Sequence, residues 1–153
     1  MIQGRWFAPG EDLSAGVLPV RRAVFGREGD ALDAQSWNVL VLEDGTPAAA
    51  GRIWWAEGAF WLGEIGVTEE RRGRRLGDLT LRLLLFKAQS HSAREVRLRC
   101  PAETAGFFAR LGLREDAAAG PGDGWVEMTL PGDAIELDSC KNCPRDACPS
   151  RKA

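Results

Sequence analysis

Residues 67–77 read Val-Thr-Glu-Glu-Arg-Arg-Gly-Arg-Arg-Leu-Gly, and an apolar stretch with helical spacing follows at once. Four arginines, Arg71, Arg72, Arg74 and Arg75, crowd a turn that contains Gly73 and ends at Gly77. A strand that runs into such a turn and then into a helix gathers backbone N–H groups and the positive end of a helix dipole at one point. That is the layout of an anion site, most naturally a diphosphate site. A solvated turn of like charges is the bland alternative. The glycines and the immediate helix start favour phosphate.

A second group of chemically capable residues lies at the far end of the chain. Cys140, Cys143 and Cys148 fall within the last fourteen residues, well apart from Cys100. A C-x2-C unit sets two thiolates on one metal in many zinc sites, but structural zinc takes four ligands. The fourth would come from Cys100, His91, Asp146 or another subunit. Three cysteines also fit an iron–sulfur cluster with one iron open, although the usual ferredoxin spacings do not match. In a cytoplasmic setting such clustering points to metal or redox chemistry before structural disulfides. The plain alternative is a thiol-bearing tail that binds metal only adventitiously.

The elements that must position these groups follow from periodicity and punctuation. Gln3 to Phe7 reads as a first strand, ended by Pro9-Gly10. Asp12 or Ser14 is placed to cap a helix carrying Leu13, Val17, Val20, Val24 and Phe25, and Pro19 predicts a kink or two short pieces. Gly26 to Gln35 reads as an acidic loop with one helical turn. Trp37 to Glu43 alternates, with Trp37, Val39 and Val41 on one face and Asn38, Leu40 and Leu42 on the other. Asp44-Gly45 marks a tight turn into a strand from Ala48 to Trp55, and Glu57-Gly58 a second turn into a strand from Ala59 to Val67.

A helix from Leu76 to about Gln89 is predicted next, with Leu76, Leu79, Leu83 and Phe86 as its apolar stripe and Leu84 and Ala88 broadening it. Glu95 to Cys100 reads as a strand stopped by Pro101, Thr104 to Leu111 as a helix closed by Gly112, and Trp125 to Leu130 as the last strand. Gly120 to Gly124 reads as a turn. After Pro131-Gly132 the chain becomes polar. This order predicts an α/β fold: a mixed, mainly antiparallel sheet flanked by helices, with one domain over 1–131 and a cysteine-bearing tail over 132–153.

Composition sets the outer limits. A chain of 153 residues with 44% hydrophobic and 27% charged residues suits one hydrophobic core rather than disorder. The formal net charge of −2 argues against a general nucleic-acid binder despite the arginine cluster. The first residues carry no apolar core of signal-peptide length. Leu83-Leu84-Leu85-Phe86 is far short of the roughly 20 residues of a membrane span. The expectation is a soluble cytoplasmic protein with no membrane partner. Six tryptophans and no tyrosine are present.

In element order and in two motifs the chain resembles the GNAT superfamily of acyl-CoA-dependent N-acyltransferases over about residues 1–131. Arg72-Gly73-Arg74-Arg75-Leu76-Gly77 is similar to that family's Q/R-x-x-G-x-G/A loop. Ala105-Gly106-Phe107-Phe108-Ala109-Arg110-Leu111-Gly112-Leu113 resembles its late A-x-F-Y-x-x-x-G-F segment. Arg21-Arg22-Ala23-Val24-Phe25, the acidic residues after it, and Gly51-Arg52-Ile53 resemble a common opening within the family. The resemblance implies transfer of an acetyl or other acyl group from acetyl-CoA to an amine of a small molecule or peptide, by direct attack in a ternary complex.

It further implies that backbone beside Ile65 to Val67 holds the pantetheine arm and polarises the thioester. Arg72, Gly73, Arg74, Arg75, Leu76 and Gly77 would hold the diphosphate, with some of Arg71, Arg74 and Arg75 reaching the phosphates. The acceptor side would be built from loops, including Gly26 to Gln35 and the stretch around Arg114, Glu115 and Asp116. Two positions depart from the pattern. Arg75 stands where the loop's middle glycine is usual, and it can present its N–H if φ stays negative. Phe108 stands where many members carry a tyrosine thought to protonate the leaving thiolate, and phenylalanine has no proton to give.

Amine acylation by a thioester needs a neutral amine, a polarised carbonyl and a tolerated thiolate. An amine of pKa near ~10 is almost wholly charged at neutral pH, so a base or water relay helps. Glu64 is the preferred base, three residues before Val67 and on the face of Gly66. The alternative is a solvated strand residue, or one that pairs with Arg52 on the neighbouring strand. Glu69 and Glu70 read as loop charges and His91 as a surface histidine. Cys100 is either a proton donor or nucleophile at the acyl site or a small buried apolar residue. The rival from another class is a GNAT-shaped sensor that works through its metal or redox tail. A third possibility is an acyltransferase whose tail docks a protein partner or a second copy.

Overall fold

A computed structural model describes residues 1–116 and 124–137. Seven strands form one sheet in the order β1-β2-β3-β4-β5-β7-β6. They are β1 Ile2–Phe7, β2 Trp37–Glu43, β3 Thr46–Ala56, β4 Ala59–Val67, β5 Glu95–Pro101, β6 Arg114–Glu115 and β7 Trp125–Pro131. Every neighbouring pair is antiparallel except β4 and β5, which run parallel. Parallel strands need a crossover, and α2 (Leu76–Ser90) supplies it. Helices α1 (Val17–Phe25) and α3 (Ala105–Ala109) complete the fold.

The two faces of β2 are both buried, as its alternation requires once a helix covers each side. Val39 packs with Ile53, Leu62 and the α2 leucines, whereas Leu40 packs with Phe7, Val17 and Val20 of the α1 side. On α2 the deeply buried residues are Leu76, Thr80, Leu81, Leu84, Leu85 and Ala88. This corrects the predicted stripe: Leu79 and Leu83 are only partly buried, and Phe86 is 55% exposed. Leucine recurs almost all round this helix, so periodicity alone does not fix which side meets the sheet.

Three further expectations change. Helix α1 begins after Gly16, which has no capping side chain, and Asp12 instead accepts the Ser14 N–H at 2.9 Å. Pro19 falls in the first turn of a single helix, where its missing N–H costs no intrahelical bond, so it neither kinks nor splits α1. Strand β6 is too short for a periodic signal, and its register is set by pairing with β7 at Thr129 and Met128. Beyond 131, Ile135 is buried in the main core, and Gln89 and Arg82 bond the Ile135 and Leu137 carbonyls. Packing therefore continues six residues past the boundary expected there.

Two irregularities shape the centre of the sheet. Ala50 pairs with Gly66 and Arg52 with Gly63, so Gly51 alone faces both Glu64 and Ile65. This is a β-bulge, and Glu64 takes a left-handed conformation with φ of 52°. Next to it, β4 and β5 pair only through Phe60↔Val96, Trp61↔Arg97 and Leu62↔Leu98. Past Leu62 the strands part, and among the described residues no strand pairs with the β5-facing backbone edge of Gly63 to Val67.

Candidate active site

The parting of β4 and β5 opens a cleft of about 920 Å³, and a smaller pocket of about 290 Å³ sits at the start of α2. Phe107 of α3 borders both.

The smaller pocket gathers most of the loop singled out in the sequence. Its lining includes Val67, Arg72, Gly73, Arg75, Leu76 and Gly77. The first intrahelical bond of α2 runs from the Leu79 N–H to the Arg75 carbonyl at 3.1 Å. The N–H groups of Leu76, Gly77 and Asp78 precede that bond and have no acceptor within the helix. Gly73 has φ of +82°. Arg75 has φ of +62°, not the negative angle under which an arginine there presents its N–H. The arginine keeps the backbone shape a glycine would give, at a steric cost of about 1–2 kcal/mol.

Not every arginine of the loop faces the pocket. Arg72 donates from Nε to the Val67 carbonyl at 3.2 Å and so braces the turn. Arg71 and Arg74 both bond the Glu43 carboxylate, and these hydrogen bonds and charges hold Glu43 below its ordinary value. Arg71 still borders the pocket, whereas Arg74 does not. Arg110 borders it from α3 and was not assigned by the sequence reading. Its signal was there: it stands three residues after Phe107, one helical turn on, on the same side.

Because Arg75 is strained, Arg75→Gly is expected to fold with unchanged or higher stability, by up to about 1 kcal/mol in chemical denaturation. A loss beyond about 1 kcal/mol would show that the side chain anchors the loop instead.

The larger cleft runs between the parted strands. Gly63, Glu64 and Ile65 form one lip, and Arg99, Cys100 and Pro101 the other. Glu64 sits at the bulge, and its partner Arg27 lies over Phe25, the ring that covers Gly66. Glu64 Oε1 lies 2.9 Å from Arg27 Nη2 and 3.9 Å from Arg52 Nη2, and the side chain is 13% exposed. The Arg52 approach matches the pairing alternative to a base role, and the Arg27 bond comes from a loop residue 37 positions away. A cationic amine can meet Glu64 only as Arg27, itself 58% exposed, gives way.

Cys100 and Phe108 line the same cleft, both nearly buried. Burial pushes the Cys100 thiol up, which keeps it protonated and argues against a thiolate nucleophile. Phe108 stacks edge-on against Phe107.

Behind Glu64 lies a buried network. Arg21, 1% exposed, makes two bonds to Asp33 at 2.7 and 2.8 Å and one to Asn38 at 2.7 Å. Arg52 makes two bonds to Asp30 at 2.6 and 3.0 Å and a third to Asp33 at 3.3 Å. Burial alone would raise Asp33, but the Arg21 and Arg52 guanidinium groups hold it at about 2. The Arg52 hydrogen bonds likewise hold Asp30 below its ordinary range. The segment read as an acidic loop is thus clamped to the sheet by two arginines. These are the residues of the family-like opening, Arg21 and Arg52.

Cys140, Cys143 and Cys148 lie outside the described residues. Among the described residues there is no cluster of three or more histidine, cysteine or acidic side chains able to hold a metal. His91 is exposed just beyond α2, 6.0 Å from the Phe60 ring. No helix among the described residues is long and apolar enough to cross a membrane.

This architecture is the GNAT fold of the acyl-CoA N-acyltransferases. The chain superposes on an acyl-CoA N-acyltransferase from Pseudomonas aeruginosa with a TM-score of 0.74 at 19% identity, over 84% of this chain and 99% of that one. Escherichia coli ElaA matches with a TM-score of 0.70 at 19% identity, over 84% and 99%. The ribosomal-protein-S18-alanine N-acetyltransferase from Escherichia coli matches with a TM-score of 0.67 at 16% identity, over 86% and 94%. At these identities the likeness is one of fold. No protein-family model matches the chain, and no curated protein matches it in sequence.

Proposed function

We propose that the chain is an N-acyltransferase that moves an acetyl group from acetyl-CoA to an amine by direct attack in a ternary complex. One observation carries this reading. An unpaired strand edge from Gly63 to Val67 leads straight into an arginine-bordered helix start. An extended arm with amide groups can pair along such an edge, and a diphosphate fits the helix end.

In this reading the free N–H groups of Leu76 and Gly77, with Arg75 and Arg110, hold the diphosphate. Backbone at Ile65 and Val67 takes the pantetheine arm and polarises the thioester carbonyl. Glu64 takes a proton from the acceptor ammonium, directly or through water, once Arg27 moves aside. The amine then forms the C–N bond, the C–S bond breaks, the sulfur leaves as thiolate, and the nitrogen's second proton passes to water or to that thiolate. No tyrosine is available at Phe108 to protonate it. Arg74, turned to Glu43, braces the loop rather than touching the ligand. Arg75 supports a working loop and weakens the rival reading of a degenerate sensor, because it preserves the glycine-like turn.

Glu64→Gln is expected to lower kcat about a hundredfold, with the KM for acetyl-CoA unchanged. Steady-state release of free thiol with a primary amine measures this. An unchanged kcat would remove Glu64 from the proton path.

A further inference from the structure

We propose that the acceptor is an amphipathic primary amine, one ammonium carried on a flat aromatic body; this rests on the acyltransferase reading above. The cleft beside Glu64 is walled by Phe25, Trp54, Trp61 and Trp125. Trp54 lies across Gly63, where an added Cβ would meet Cη2 at 3.0 Å, so its ring floors the cleft next to Glu64. Phe25 lies over Gly66 in the same way, with Cζ 3.0 Å from such a Cβ. Two of these walls stay open to solvent: Trp125 is 44% and Phe25 36% exposed. Large rings left uncovered around a concavity mark it as a place for an apolar or aromatic guest.

The charges around the cleft select within that class. Arg27 is matched by Glu64, and Arg52 by Asp30 and Asp33. Arg99 is also engaged within the protein. Glu103 borders the cleft, is exposed, and makes no ion pair among the described residues. Its carboxylate offers a negative charge at the rim, which favours a cation there. The Phe25, Trp54 and Trp61 rings each already carry a guanidinium, of Arg27, Arg52 and Arg97, so among the four walls Trp125 is the ring with no cation over it among the described residues. A polyamine would bring several charges to one such carboxylate. A peptide would bring backbone groups that apolar walls leave unpaired. A single ammonium on an aromatic body satisfies both walls and charge.

The test compares phenethylamine and tryptamine with spermidine and a short peptide as acceptors, using the full chain and acetyl-CoA. We expect kcat/KM for the aryl amines to exceed both others at least about tenfold. Trp125→Ala should raise the KM for phenethylamine about tenfold and leave the KM for acetyl-CoA unchanged, since Trp125 does not border the arginine pocket. Glu103→Gln should raise the same amine KM a few-fold, roughly as expected for an exposed charge. Equal or better turnover of spermidine or peptide overturns the acceptor class and leaves acyl transfer standing. Acetyl-CoA binding without transfer to either aryl amine also overturns the class alone. Absence of acetyl-CoA binding in calorimetry overturns the acyltransferase reading and this inference together.

Discussion

Gly73→Pro combined with Arg72→Ala is expected to weaken acetyl-CoA binding more than about a hundredfold in calorimetric titration. Gly73 sits at φ of +82°, and proline is confined near −65°, so the turn must be rebuilt. An added Cβ at this position would meet nothing within 4 Å, so the change acts through backbone direction rather than collision. Rebuilding it swings away the N–H groups at the head of α2. Each hydrogen bond to a charged phosphate contributes about 1.5–3 kcal/mol, and loss of two such bonds gives the stated factor. Arg72→Ala removes the brace on the Val67 carbonyl as well. Gly73→Ala should cost far less, because its φ is strained but reachable. Wild-type affinity in the double variant would place the diphosphate elsewhere.

Asp33→Ala is expected to destabilise the fold by about 3–5 kcal/mol, read from the denaturant midpoint. It strips the carboxylate from Arg21, which is 1% exposed and cannot turn to water, and removes the bridge to Arg52. As a contrast, Arg22→Ala breaks an exposed pair with Glu28 and should cost less than about 1 kcal/mol. The same carboxylate sets an acid limit. Asp33 titrates at about 2 in the folded chain, against an ordinary value of 3.8. A folded value below the unfolded one gives stability that is complete above pH ~4 and lost as pH falls through about 2. Wild type should lose stability across that window, and Asp33→Ala should lose less there. A parallel acid profile would take Asp33 out of the linkage. Because Arg27 and Leu32 of the clamped segment border the cleft, the variant should also raise the amine KM.

The element order and the arginine-bordered turn ahead of α2 were legible in the sequence because both depend on local signals. Alternation set β2 over Trp37–Glu43, and turn pairs at Asp44-Gly45 and Glu57-Gly58 set the meander. What was not legible depends on pairs far apart in the chain. The bulge at Glu64 arises from register against Gly51, which no spacing in β4 reveals. The Arg21–Asp33–Arg52 network joins three elements, and its residues looked like an acidic loop and a helix face when read singly. Arg75 shows a third kind of limit. Side-chain identity argued for a negative φ, but the strand-to-helix turn imposed the positive one. Phe86 was misplaced for a simpler reason: with leucines on most sides of α2, the sheet chooses the buried face.

The short parallel pairing between β4 and β5 has a consequence for cohesion. Strands β1–β4 come from residues 2–67 and β5–β7 from residues 95–131, so the sheet consists of two sequence-contiguous blocks. Three residue pairs stitch their strands together, and the remaining grip comes from α2 and the core beneath it. The cleft continues this stitch line. Any molecule that bonds both lips therefore adds to the cohesion of the blocks, by an amount that grows with the logarithm of its concentration over its Kd. Occupancy of the site and resistance of the sheet to splitting are, in this architecture, linked.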